Sequence, residues 1–159
     1  MRPSLDITLK DLQKTIPLNA PQIHKIAKAI LRREGIRSAE LSVVFVTRQR
    51  IRGLNRKYLR RDHATDVLAF AYEPSSQNER HVKTKRTLCG DIIISTDAAV
   101  QNAKIYSTGR SREIVLYLIH GILHLRGFDD HKPQDIKKMR GKEQALLDYL
   151  GAKIKQCVL

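Results

Sequence analysis

A chain of 159 residues with an apolar fraction of 42% is long enough to bury one core and short enough to need only one, so a single domain over residues 1–159 is expected. Thirty lysines and arginines against sixteen aspartates and glutamates leave a formal net charge of +14, which calls for a polyanionic partner, RNA or DNA before an anionic membrane surface. Two cysteines exclude a disulfide scaffold and suit a reducing cytoplasm, the N-terminus shows no export signal, and the longest apolar passage, Ile114 to Leu125, is too short to span a bilayer.

In chain order, Leu5, Ile7 and Leu9 alternate with polar residues and predict a strand with one buried face. Asn19 as cap and Pro21 in the first turn open a helix whose stripe is Ile23, Ile26, Ala27, Ile30 and Leu31, and Gly35 ends it. Leu41 to Val46 is apolar on both faces and β-branched, which predicts a central strand covered on both sides. From Thr47 a helix turns Ile51, Leu54 and Tyr58 inward while Arg48, Arg52 and Arg56 recur on another face, extended by Arg60 and Arg61. Like charges at that spacing repel, so the row is expected to lie along a polyanion.

Thr65 to Tyr72 reads as a second strand buried on both faces, and Pro74 to Thr87 as a polar surface loop carrying His81 and the basic Arg80, Lys83, Lys85 and Arg86. Gly90 to Ser95 is a short buried strand. Thr96 then caps a modest helix and Ser111 a strongly apolar one, which must be central because Ile114 to Ile119 is apolar all round. A last helix from Pro133 turns Ile136, Met139, Leu146, Leu147 and Leu150 inward and stops at Gly151, with a basic tail expected to fray. The sum is an α+β fold, a small sheet packed against several helices with a central histidine-bearing helix.

That helix carries the chemistry. His120 and His124 lie four residues apart, about 40° around the axis and about 6 Å along it, so both imidazoles project from one face as a chelating pair. Gly127 can reverse the chain in a left-handed turn and return His131 to the same point. Three protein ligands with one open position is the usual arrangement of a catalytic zinc.

The run HGILHLRGFDDH, with LNRKY at Leu54, TDVLAF at Thr65 and GDIIIS at Gly90, resembles the YbeY family of bacterial endoribonucleases, which act in ribosomal RNA maturation and ribosome quality control. The resemblance implies a zincin-like α+β fold with a small mixed sheet, one zinc per chain held by three histidines, hydrolysis of single-stranded RNA, and work beside the ribosome or its associated proteins in the cytoplasm. Two departures stand out. The family motif places its third histidine ten residues after the first, where this chain has Asp130, with His131 one later; His131 is the expected ligand and Asp130 the alternative. The family's arginine directly after the tyrosine of its L-N-x-x-Y motif is here Leu59, so Arg60 is the expected catalytic guanidinium, while Arg52, Arg56 and Arg61 are expected to bind RNA.

Two other readings belong to different classes. A zinc metallopeptidase would need the glutamate of H-E-x-x-H, and the residue after His120 is Gly121. A non-catalytic, ribosome-associated RNA-binding factor would fit the loss of the arginine at Leu59.

Overall fold

The computed structural model describes residues 4–73 and 86–159. The loop expected from Pro74 onward, with Arg80, His81, Lys83 and Lys85, therefore lies outside the described residues. Four strands, β1 (Leu5–Asp11), β2 (Ser38–Val46), β3 (Val67–Ala71) and β4 (Thr87–Ser95), form one sheet in the order β1-β2-β4-β3. The first three in space run parallel and β3 runs antiparallel along β4, from Val67 opposite Ile94 to Ala71 opposite Gly90. The helices are α1 (Ala20–Arg33), α2 (Arg48–Leu59), α3 (Thr96–Ile105), α4 (Arg110–Leu125) and α5 (Pro133–Leu150), followed by a 3-10 turn over Gly151–Cys157. This is the mixed α+β fold the pattern called for.

Local chemistry sets the ends of these elements. Asn19 Oδ1 accepts from the Gln22 N–H, and at the other end of α1 Gly35 takes φ 76° so that its N–H reaches Arg32 O and that of Ile36 reaches Leu31 O. Two expected caps differ. Ser95 rather than Thr96 caps α3, since the Thr96 hydroxyl is buried between Gln13 Oε1 and Val46 O. Ser111 is not the cap of α4 but holds the C-terminal segment, accepting from Val158 N at 3.1 Å. That segment is anchored rather than frayed, because Ile154 and Cys157 are buried and Asn19 N donates to Cys157 O.

One face of the sheet carries the main core: Leu41, Val43, Phe45, Ile92 and Ile94 pack against α1 and α4, whose Leu118, Ile119, Ile122 and Leu123 are fully buried. On the other face α2 covers only one end, around Val46, Ile51 and Leu68. Among the described residues the expectation of two-sided cover therefore holds only in part, and Glu40, Ser42 and Val44 are half-buried. β3 is an edge strand with Leu68 its buried residue, so it too is covered less than expected. Tyr58, predicted to face inward, is 58% exposed, while Asn55 takes the buried place one turn earlier.

Two glycines let the histidine helix lie close on the sheet. A Cβ on Gly121 would sit 2.8 Å from Ile92 Cγ2, and one on Gly90 would sit 2.6 Å from a methyl of Leu125 and 2.8 Å from Phe70 O. So close an approach of backbone to its neighbours requires residues without side chains.

Candidate metal centre

The site is built at the C-terminal end of α4. Helical spacing stacks His120 and His124, and their Nε2 atoms lie 2.9 Å apart. Two bare imidazole lone pairs at that distance repel, so the pair needs either a shared proton or a cation between them. Gly127, at φ 96°, then reverses the chain: its N–H donates to His124 O and that of Phe128 to Leu123 O. Three residues after this turn, Asp130 Oδ2 stands 3.5 Å from His120 Nε2 and 3.5 Å from His124 Nε2.

The size of this triangle is informative. Zinc bonds of 2.0–2.1 Å in a tetrahedron put neighbouring ligand atoms about 3.3–3.4 Å apart. The edges of 2.9, 3.5 and 3.5 Å bracket that value, and the donor set of two imidazoles and a carboxylate suits zinc. His131 lies elsewhere. Its side chain is 75% exposed with Nε2 3.3 Å from Asp129 Oδ1, and it groups with Asp129 and Asp130 but not with the two helical histidines. The turn at Gly127 delivers the third residue beyond it to the pair and carries the fourth past.

Behind the triangle, His120 Nδ1 meets Glu143 Oε1 of α5 at 3.1 Å. That contact leaves Nε2 as the nitrogen facing Asp130 and His124. Burial pulls the His120 pKa down, but the hydrogen bond and charge of Glu143, with the charges of Asp130 and Asp66, outweigh it and hold the imidazole above its ordinary value.

A cleft of about 500 Å³ opens in front of the triangle. Its far wall is the loop that follows α2, together with β3. Asn55, 1% exposed, holds this loop: its Nδ2 donates to His63 O at 2.9 Å, and the Arg61 N–H reaches back to Asn55 O. Leu59, Arg61, His63 and Asp66 all line the cleft. Arg60 caps α2 in the left-handed region, at φ 55°, and is not part of the lining. Arg52 binds Asp62 at 3.0 Å, and this guanidinium, joined more weakly by that of Arg56, keeps the Asp62 carboxyl below its usual range.

The structure thus brings together His120, His124 and Asp130, places Arg61 in the same cleft, keeps His131 on the cleft lining but apart from the triangle, and leaves Arg60 out of the lining. Sequence reasoning misses Asn55 and Glu143, yet each carries a signal. Asn55 stands four residues after Ile51, and Glu143 stands midway between Met139 and Leu147, so both are polar residues on an apolar helical stripe. A polar group in such a position needs a dedicated partner.

Fold and site together define an α+β domain whose central helix presents candidate metal ligands to a cleft in a strongly basic chain. The chain belongs to the YbeY family: the family model described as Endoribonuclease YbeY matches residues 8–151. Among relatives, Endoribonuclease YbeY of Listeria monocytogenes serotype 4a (strain HCC23) is 38% identical over 158 residues, 92% of this chain and 96% of its own. That of Staphylococcus carnosus (strain TM300) is 41% identical over 113 residues, 71% of this chain and 73% of its own. The solution structure of TM1509 from Thermotoga maritima shares the fold, with a TM-score of 0.57 at 20% identity over 90% of both chains.

Proposed function

We propose that the protein is a zinc-dependent endoribonuclease cutting single-stranded RNA, that it acts in ribosomal RNA maturation and ribosome quality control in the cytoplasm, and that the ribosome or its associated proteins are its partners. The observation that carries the reading is the triangle of His120, His124 and Asp130, sized for one zinc and set in a cleft of a +14 chain from a family of endoribonucleases. Among the described residues no helix is long and apolar enough to cross a membrane.

His120 Nε2, His124 Nε2 and Asp130 Oδ2 would hold the zinc, with His131 the alternative third ligand. When bound, the metal would polarise a phosphoryl oxygen and lower the pKa of water to about 7. The remaining work falls to side chains. Arg61, in the lining of the same cleft, offsets charge on the phosphate, while Arg52 and Arg56, exposed on α2 outside that lining, are available to the RNA backbone, Arg52 while also paired with Asp62. His63, with Nδ1 3.2 Å from Ala64 O, and the Asp66 carboxylate line the same cleft as candidate proton-transfer groups. The peptidase reading loses its base. The place after His120 is Gly121, pressed on Ile92, where no glutamate fits.

The test is to incubate purified protein with single-stranded RNA, duplex RNA and casein, with chelator and after zinc is restored. Zinc-restored cleavage of single-stranded RNA is expected. Casein cleavage would favour the peptidase, and RNA binding without cleavage the non-catalytic factor.

A further inference from the structure

Resting on the zinc reading, we infer that Glu143 is a positioning residue of the metal centre, one that presents the Nε2 face of His120 to the bound cation. Glu143 Oε1 accepts from His120 Nδ1 at 3.1 Å, and only 13% of its side chain is exposed. Among the described residues no lysine or arginine pairs with it; His120 is its ion-pair partner. A desolvated carboxylate without a cation is costly, and the cost is offset when the imidazole before it carries positive charge or is bound to a cation. A carboxylate behind a ligating histidine also fixes the ring's tautomer and orientation and raises its basicity.

The mounting is rigid. Met139, Leu146, Leu147 and Leu150 bury the inner face of α5, so Glu143 rides on the stripe that docks this helix. One residue earlier, Lys142 Nζ binds Glu34 at 2.9 Å, and the same carboxylate, 4% exposed, receives Arg126 at the exit of α4. Glu34 thereby ties the helix that carries Glu143 to the start of the turn that carries Asp130. Neither carboxylate is a metal ligand, yet together they tie α5 to the frame of the site.

The experiment is zinc affinity by competition with a chromophoric chelator for the full chain and for Glu143→Gln and Glu143→Ala, with thermal melts in excess chelator as the fold control. Loss of such a partner weakens metal binding about 10–100-fold. Glu143→Ala is expected in that range and Glu143→Gln, which keeps an acceptor without the charge, between it and the unsubstituted chain. If Glu143→Ala does not fold, the near-isosteric Gln variant carries the test alone. Affinities equal to the unsubstituted chain, with only the metal-free melting temperature changed, would make Glu143 a structural residue and overturn the inference. A chain that binds no zinc before substitution would overturn the zinc reading and this inference with it.

Discussion

Replacing Asp130 by Ala is the sharpest perturbation of the site, because the carboxylate stands 3.5 Å from each histidine nitrogen and completes the triangle. Two imidazoles alone leave half of a tetrahedral shell to water. The loss must exceed what removing an indirect partner costs, about 10–100-fold, so zinc affinity should fall by more than about 100-fold, or about 2.8 kcal/mol at 1.4 kcal/mol per factor of ten. His131→Ala should change affinity by less than about 3-fold, since that ring is 75% exposed and its partner is Asp129. Competition titration with a chelator, with metal content per chain as a second readout, measures both. A large loss in His131→Ala beside an unchanged Asp130→Ala would refute the reasoning: the loop would then have to rearrange on binding metal, bringing the imidazole in and the carboxylate out.

Gly121→Ala should destabilise the fold by about 1–3 kcal/mol in a denaturant titration, the usual cost of overpacking, because its Cβ would meet three carbons of Ile92 at 2.8–3.1 Å; unchanged stability would mean that α4 can lift off the sheet without cost. In chelator the pH dependence should have a definite sign. His120 is held above its unfolded pKa of about 6.5, so its contribution to stability is fully present below that pH and fades as pH rises through the folded value, whereas zinc, which needs neutral histidines, should stabilise more as pH rises. Melts over a pH series with and without zinc would show parallel curves if this is wrong. Arg61→Ala should lower single-turnover cleavage at saturating RNA and Arg60→Ala should not, and removing any one phosphate-binding side chain should reduce the log–log salt slope by roughly 0.7; a rate loss in Arg60→Ala alone would move the catalytic guanidinium back to that residue.

Much of the fold is legible because its signals are local. The α1 stripe, the Asn19 cap and the positive φ at Gly35, Gly127 and Gly151 all follow from neighbouring residues. What is not legible is set by distant partners. Tyr58 lies outside because Asn55 turns inward to hold the loop, and the tail packs because Ile154 and Cys157 are buried and Cys157 O accepts from the N–H of Asn19, more than a hundred residues upstream. The site divides along the same line. The stacking of His120 and His124 is helix geometry, readable from spacing alone. The choice between Asp130 and His131 depends on how many residues a turn needs to come back, and a single residue decides it. Glu143 reaches His120 across 23 positions, through packing that no local pattern encodes.

The two departures from the family motif change the charge of one cleft in the same direction. Three neutral imidazoles would leave a bound divalent cation its full double charge, whereas two imidazoles and the Asp130 carboxylate would leave it one. At the opposite wall Leu59, 44% exposed and lining the cleft, stands where the motif carries a guanidinium. On the proposed zinc reading both changes would weaken the pull on a phosphodiester at the point where charge develops, and a chain at +14 would not restore it, because charges more than about 10 Å away are largely screened. Only a cation inside the cleft restores it. Arg61 is placed there by a loop clamped on both sides of it, through Asn55 O to its own N–H and through Asn55 Nδ2 to His63 O. If Arg61 contacts phosphate as proposed, the buried asparagine that holds its loop should matter as much, and Asn55→Ala and Arg61→Ala should lower the same single-turnover rate.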